Sequence, residues 1–182
     1  MDRREALTAT AWLFGSAIVG GAGFLSACNP TSRTGATFRE EDLSLLDEVG
    51  ETILPATASS PGAKAAGIAA FMHIIVRDCY SDDEQSVFFS GIGDIDLRAK
   101  KQYGKTFRML SPEEKHRMVV QLDVEAKQKQ EGIPHYFTLM KQLTIWGYFS
   151  SEPGCTRALR YVPVPGRYKG CVPYTKGEGA WS

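Results

Sequence analysis

The sequence predicts a mainly α protein: a small helical bundle closed by an irregular C-terminal coil rich in proline, glycine and aromatic residues. Apolar residues recur at helical spacing in successive segments after position 37, and helix-start signatures precede several of them. No stretch alternates apolar with polar residues as a half-buried strand would, and no internal repeat is visible. With 43% hydrophobic and 23% charged residues, the chain has material for one real core.

The first helix is expected where Thr37 and Glu40 make a capping box, after which Leu43, Leu46, Val49 and Ile53 share a face until Pro55 ends the run. Ser59-Ser60-Pro61-Gly62 punctuates the chain. Ile68, Phe71, Met72, Ile75 and Cys79 then fall on one face of a second helix, and the small residues in 63–66 permit close helix approach. Ser81 with Glu84 caps a third helix carrying Val87, Phe88, Ile92 and Ile95. Ser111-Pro112-Glu113-Glu114 combines cap, first-turn proline and capping glutamate ahead of Met118, Val119, Leu122 and Ala126. Pro134 opens a last helix through Phe137, Met140, Leu143, Ile145 and Trp146, apolar over much of its circumference and so expected at the centre.

From Ser150 onward, Pro153, Pro163, Pro165, Gly166, Gly170, Pro173, Gly177 and Gly179 stop any helix, while Tyr161, Tyr168, Tyr174 and Trp181 make the segment too aromatic to be loose. An ordered coil is expected, lying over the bundle or over a partner. Arg157, Arg160 and Arg167 are crowded among Tyr161, Tyr168, Tyr174 and Trp181, and arginine with tyrosine and tryptophan anchors protein interfaces. These seven residues are the candidate partner interface; packing of the tail onto its own bundle is the competing role for each.

Residues 1–27 read as an export signal, 28–36 as a tether and 37–182 as the helical domain. Arg3-Arg4-Glu5-Ala6-Leu7 resembles the twin-arginine export motif, with Asp2, Ala6 and Thr8 departing from its usual form. The uncharged run 6–27 is diluted by Gly15, Gly20, Gly21 and Gly23, as suits that route better than a permanent span; a transmembrane or buried helix is the alternative. Leu25-Ser26-Ala27-Cys28 resembles a bacterial lipobox, which makes Cys28 the lipidated first residue of the mature chain. The expectation is a periplasmic protein, carried by the twin-arginine translocase and held to a membrane through acyl chains, each buried methylene contributing about 0.8 kcal/mol.

After export, Cys79, Cys155 and Cys171 share an oxidising compartment. Cys155 and Cys171 bracket the proline-rich coil and are the preferred disulfide, since closing a loop of that size contributes about 3 kcal/mol in the chain-entropy model. Cys79 is read as a core thiol on the apolar face of the second helix. A bridge from one of the three to another subunit stays open, because spacing does not fix connectivity.

Lys+Arg and Asp+Glu both number 21, so no basic field exists to hold nucleic acid. His73, His116 and His135 are far apart, without the short spacing of a metal set, and no cysteine pattern for haem or an iron–sulfur cluster occurs. Gly91-Ile92-Gly93 lacks the third glycine and preceding strand of a dinucleotide site, and Asp82-Asp83-Glu84 reads as a charged first turn rather than a calcium loop. Catalytic, cofactor-binding and metal-ligating residues are therefore expected to be none in this chain.

Several segments in order resemble the gluconate 2-dehydrogenase subunit 3 family, the small subunits of membrane-bound, flavin-dependent sugar and sugar-acid dehydrogenases. They are Leu45-Leu46-Asp47-Glu48-Val49 through Glu51-Thr52-Ile53-Leu54-Pro55-Ala56-Thr57, Pro61-Gly62-Ala63-Lys64-Ala65-Ala66-Gly67, Asp78-Cys79-Tyr80, and Gly147-Tyr148-Phe149-Ser150-Ser151-Glu152 leading into Ala158-Leu159-Arg160-Tyr161. The resemblance implies a non-catalytic subunit that binds a large glucose-methanol-choline type oxidoreductase holding FAD and carries that signal-less partner, already folded, across the membrane. It implies a cytochrome c subunit or quinone as electron acceptor, and the lipobox adds a tether role. A free-standing, lipid-anchored periplasmic binding or scaffold protein is the alternative; a small hydrolase using Cys79, or a histidine with Asp78, is a third reading.

Overall fold

In the computed structural model of the chain, the residues described are 37–129, 131–164, 166–167, 170–173 and 175–181. The fold begins at Arg39, whose backbone N–H donates to the Asp42 carboxylate at 2.9 Å, and helix α1 runs Glu40–Ile53. Thr37 stands outside it, so the capping pair is Arg39 with Asp42 and not Thr37 with Glu40. Burial alone would push the Asp42 carboxyl up, but its hydrogen bonds from Arg39 hold it below the usual carboxylate range. Phe38 just before the helix lies 4.9 Å from the His73 ring and 4.6 Å from Phe89, fixing the entry of the chain.

Gly67, at φ +66°, lets a short 3₁₀ turn, Lys64–Ala66, change direction into α2, Ile68–Cys79. Ser81 caps α3, Asp82–Tyr103, with its hydroxyl accepting from Glu84 N–H while the Glu84 carboxylate accepts from Ser81 N–H at 2.9 Å. Gly104 at φ +71° ends α3 with its N–H on the Lys100 carbonyl. A short 3₁₀ turn, Phe107–Met109, follows and drives Phe107 into the core, fully buried beside α1 and α3. Its N–H is satisfied by Asp96 at 2.9 Å. Ser111, Pro112 and Glu114 then start α4, Pro112–Gln128, as the sequence predicts, and all four of its expected apolar residues are buried.

The last long helix, α5, Tyr136–Ser150, is capped by the His135 ring accepting from Phe137 N–H at 3.2 Å. It packs against α1, α2, α3 and α4, and so takes the central place expected of it. Small residues permit this closeness: a side chain at Gly91 would collide with the Tyr136 ring, and one at Gly147 would press into Phe71. Phe88, Phe137, Leu46, Met72, Ile95 and Met140 are sealed in the core. Two expected core residues of α5 are not: Ile145 is 40% and Trp146 56% exposed, because the buried face is taken by Leu139, Leu143, Thr144, Gly147 and Tyr148. Fold class and bundle stand as predicted; among the described residues there is no named β-strand, only one isolated bridge.

Charged seams lock the helices at their edges. Glu48 on α1 takes Lys115 of α4 at 2.7 Å and also pairs with Lys64. Asp94 of α3 accepts the Tyr136 hydroxyl and the Arg98 guanidinium, both at 2.6 Å, and Arg98 reaches Glu125 of α4 at 2.7 Å. Burial and the Asp94 contact push the Tyr136 hydroxyl far above the ordinary tyrosine range, so it is a fixed donor. No helix among the described residues is long and apolar enough to cross a membrane.

Candidate partner interface

The loop after α1 is built around one carboxylate. Glu51 accepts the N–H of Ala56 and the N–H of Lys64, both at 2.9 Å, while Ala63 N–H closes on the Leu54 carbonyl at 2.9 Å. Gly62 sits where any Cβ would strike the Glu51 carboxylate, which accounts for glycine there. From the other side the buried Tyr148 of α5 donates its hydroxyl to the Pro61 carbonyl at 2.6 Å and lies 3.2 Å from the Ser60 hydroxyl.

Three residues past Tyr148 the chain turns. The Ser151 hydroxyl donates to the Tyr148 carbonyl at 2.6 Å and accepts from Gly154 N–H at 3.2 Å, and a Cβ on Gly154 would run into that carbonyl. A single π turn follows, Gly154–Ala158, closed by Leu159 N–H on the Gly154 carbonyl at 2.9 Å. It delivers Arg160, whose N–H donates to the Ala180 carbonyl at 2.7 Å in an isolated parallel bridge to Trp181. The guanidinium stacks 4.2 Å from the Trp181 ring centre and reaches Glu178 at 3.3 Å. Between the α1 loop and this returning tail lies an open cavity of about 520 Å³, with Ser59, Ser60, Arg157, Arg160, Tyr161 and Glu178 on its walls.

Arg157, Arg160 and Tyr161 of the expected interface are thus gathered on one cavity, with Trp181 stacked on Arg160 beside it. Arg167 is exposed further along the tail. Tyr168 and Tyr174 lie outside the described residues, as do Arg3, Arg4 and Cys28. The sequence did not mark Ser59, Ser60 or Glu178 as site residues. The Ser-Ser-Pro-Gly punctuation signalled the loop that holds the first two, and no local signal marks Glu178.

The cysteines differ from expectation. Cys79 is exposed at the last position of α2, where the chain bends away before its face can be covered, so it is not a core thiol. Cys155 and Cys171 are both free thiols, and the Cys155–Cys171 bridge is not formed. The π turn aims the Cys155 thiol back at the Phe149 carbonyl, 3.0 Å away, while Cys171 stays exposed on the tail. Nor do the histidines meet: His73 lies against Phe38, His116 is on the exposed face of α4 and His135 caps α5. Among the described residues, no three His, Cys, Asp or Glu come together as a metal set.

The segments that converge on this end, the α1 loop, the end of α5 and the π turn, all lie within a single match. A family model described as gluconate 2-dehydrogenase subunit 3 aligns with residues 40–166. The chain belongs to the gluconate 2-dehydrogenase subunit 3 family. Comparison with curated proteins and with solved structures returns no match. The span matched by the subunit 3 model takes in every helix α1 to α5 and the cavity wall as far as Tyr161, but stops before Glu178 and Trp181. Arg160, inside the family span, therefore anchors a return segment outside it.

Proposed function

We propose that this protein is the non-catalytic small subunit of a periplasmic, FAD-dependent sugar or sugar-acid dehydrogenase, serving as export carrier and membrane tether for the catalytic subunit. Membership in a family named for the third subunit of a dehydrogenase carries the reading, since such a chain works beside other subunits. The catalytic partner is a glucose-methanol-choline type oxidoreductase that holds the FAD, and a cytochrome c subunit is a further candidate in the assembly. Arg3 and Arg4 direct the twin-arginine translocase, which accepts folded cargo, and Cys28 carries the acyl chains. The cavity rimmed by Arg157, Arg160 and Tyr161 supports the partner role: its arginine and aromatic walls suit an interface better than a reaction centre.

The test changes Arg3 and Arg4 together to Lys in cells that make both proteins. The flavoprotein is expected to stay in the cytoplasm while its total amount is unchanged, measured by fractionation and bound-flavin absorbance. Normal delivery of the flavoprotein to the periplasm would overturn the carrier role.

A further inference from the structure

The charge balance of the whole chain, 21 against 21, hides a local imbalance. Residues 97–112, the last turns of α3 and the turn after it, carry five cations and no carboxylate. One of the five is spent inside the fold, since Arg98 pairs with Asp94 and Glu125. The other four, Lys100, Lys101, Lys105 and Arg108, are exposed, and none forms an ion pair with a described residue. The helix dipole accounts for Lys100 and Lys101 in the last turn of α3, but not for Lys105 and Arg108 beyond Gly104. Two apolar side chains stand among these cations. Leu97, on one face with Lys100 and Lys101 by its spacing, is 67% exposed, and Met109, next to Arg108, is 70% exposed. The turn is held in place, with Phe107 N–H on the Asp96 carboxylate and the Arg108 guanidinium donating to the Ser44 hydroxyl of α1 at 3.2 Å.

We propose that the end of α3 and the turn after it, from Leu97 to Met109, form a membrane face that rests on anionic phospholipid headgroups and orients the domain on the bilayer. This rests on the reading of Cys28 as a lipid tether. Cations interspersed with large apolar side chains are the make-up of surfaces that lie on anionic bilayers: the cations meet the headgroups and the apolar groups enter the boundary beneath them. Chain length agrees. The chain enters the bundle at Phe38, whose ring lies 4.6 Å from that of Phe89 on α3. From Phe89 to Lys101 the helix rises about 18 Å. The stretch from Cys28 to Thr37 reaches up to about 30 Å, so acyl chains on Cys28 and the lysines at the end of α3 can meet one bilayer surface.

Nearby carboxylates shape the face. Asp96 is taken by Phe107 N–H, Glu114 by the Ser111 cap and Glu48 by Lys115. Glu40 and Glu41 precede Ser44 by one turn, and Glu113 opens α4 just after the turn, so acidic side chains border the cations. An acidic protein partner is therefore the less suitable occupant. Lipids diffuse, so their phosphates gather at the four cations and leave the bordering carboxylates alone, whereas the acidic side chains of a folded protein are fixed.

The test uses the full chain as the cell processes it, reconstituted into vesicles of phosphatidylcholine alone or mixed with phosphatidylglycerol. Brief treatment with acetic anhydride modifies accessible lysines, and mass spectrometry reads each site together with the acyl mass on Cys28. Lys100, Lys101 and Lys105 are expected to react about fivefold more slowly on the phosphatidylglycerol vesicles, and raised salt should abolish that protection. Lys176, exposed in the tail, should react alike on both. In the double variant Lys101→Glu, Lys105→Glu, Lys100 should also react alike on both, with the thermal midpoint near wild type; protection of Lys100 that persists there overturns the proposal. Equal reaction of the three wild-type lysines on the two vesicles, with Cys28 acylated, overturns the membrane face and leaves the tether standing. Protection that needs the co-purified flavoprotein and not phosphatidylglycerol also overturns it, and gives the cations to the catalytic subunit. If Cys28 carries no acyl group, the tether reading itself fails, and the membrane face falls with it.

Discussion

Between Phe38 and Ser150 the large side chains that face inward are sealed, Phe88, Phe107 and Phe137 among them, and helix ends are closed by reciprocal caps at Ser81 and Ser111. In the tail, Tyr161, Val164, Val172 and Trp181 are each half exposed or more. Among the described residues, the tail is held by one backbone bridge, one ring stack and an ion pair whose two side chains are 48% and 45% exposed. Buried apolar area drives folding, while an exposed ion pair contributes little. The body therefore sets the stability of the molecule, and the tail adds shape: it supplies a wall of the cavity and keeps Arg157, Arg160, Tyr161 and Trp181 exposed. Tyr148 joins the two regimes, buried on the body yet holding the loop that forms the opposite wall.

That contrast can be broken by substitution. Phe137→Ala removes a sealed ring from the central helix, and a loss of about 3–5 kcal/mol in urea unfolding is expected. A loss below about 1 kcal/mol would mean that α5 does not organise the core. Tyr148→Phe keeps the ring but deletes the donor to the Pro61 carbonyl, leaving that carbonyl short of a partner. A cost of about 1 kcal/mol is expected. Hydrogen exchange should quicken at the amides of Thr57 and Ala63 while α3 and α4 keep their protection. Arg160→Ala should shift global stability by less than about 0.5 kcal/mol, yet open the tail to limited proteolysis beyond residue 160. A midpoint shift comparable to that of Phe137→Ala would show instead that body and tail unfold as one unit.

Caps and periodicity made much of the body legible in the sequence. Ser81 with Glu84, and Ser111, Pro112 and Glu114, act locally, so three or four adjacent residues carry the whole signal. The buried face of α4 follows the same way from Met118, Val119, Leu122 and Ala126. Phe107 gave no such sign, since it lies in a three-residue 3₁₀ turn too short to show a period, and only the gap between α1 and α3 gives it a place. Trp146 misled for the opposite reason. Its segment is apolar over much of its circumference, and periodicity cannot say which side of such a helix the neighbours leave bare. Cys79 fell in phase with a buried face but is the last residue of its helix and lies exposed.

Of the candidate site, the composition of the tail pointed to arginine and aromatic residues, and Arg157, Arg160 and Tyr161 do line one cavity with Trp181 stacked beside them. Its other wall comes from Ser59 and Ser60, about a hundred residues earlier in the chain, and no local pattern encodes that meeting. The sequence alone determined the helical class, the starts of α3 and α4 and the membership of a subunit family, because each depends on short-range chemistry or on ordered motifs. Only the tertiary structure decided which apolar residues stay in water, where the thiols point and how loop and tail enclose a cavity. Those outcomes depend on which helix faces compete for the same interior, and that competition is settled only when all the elements pack together.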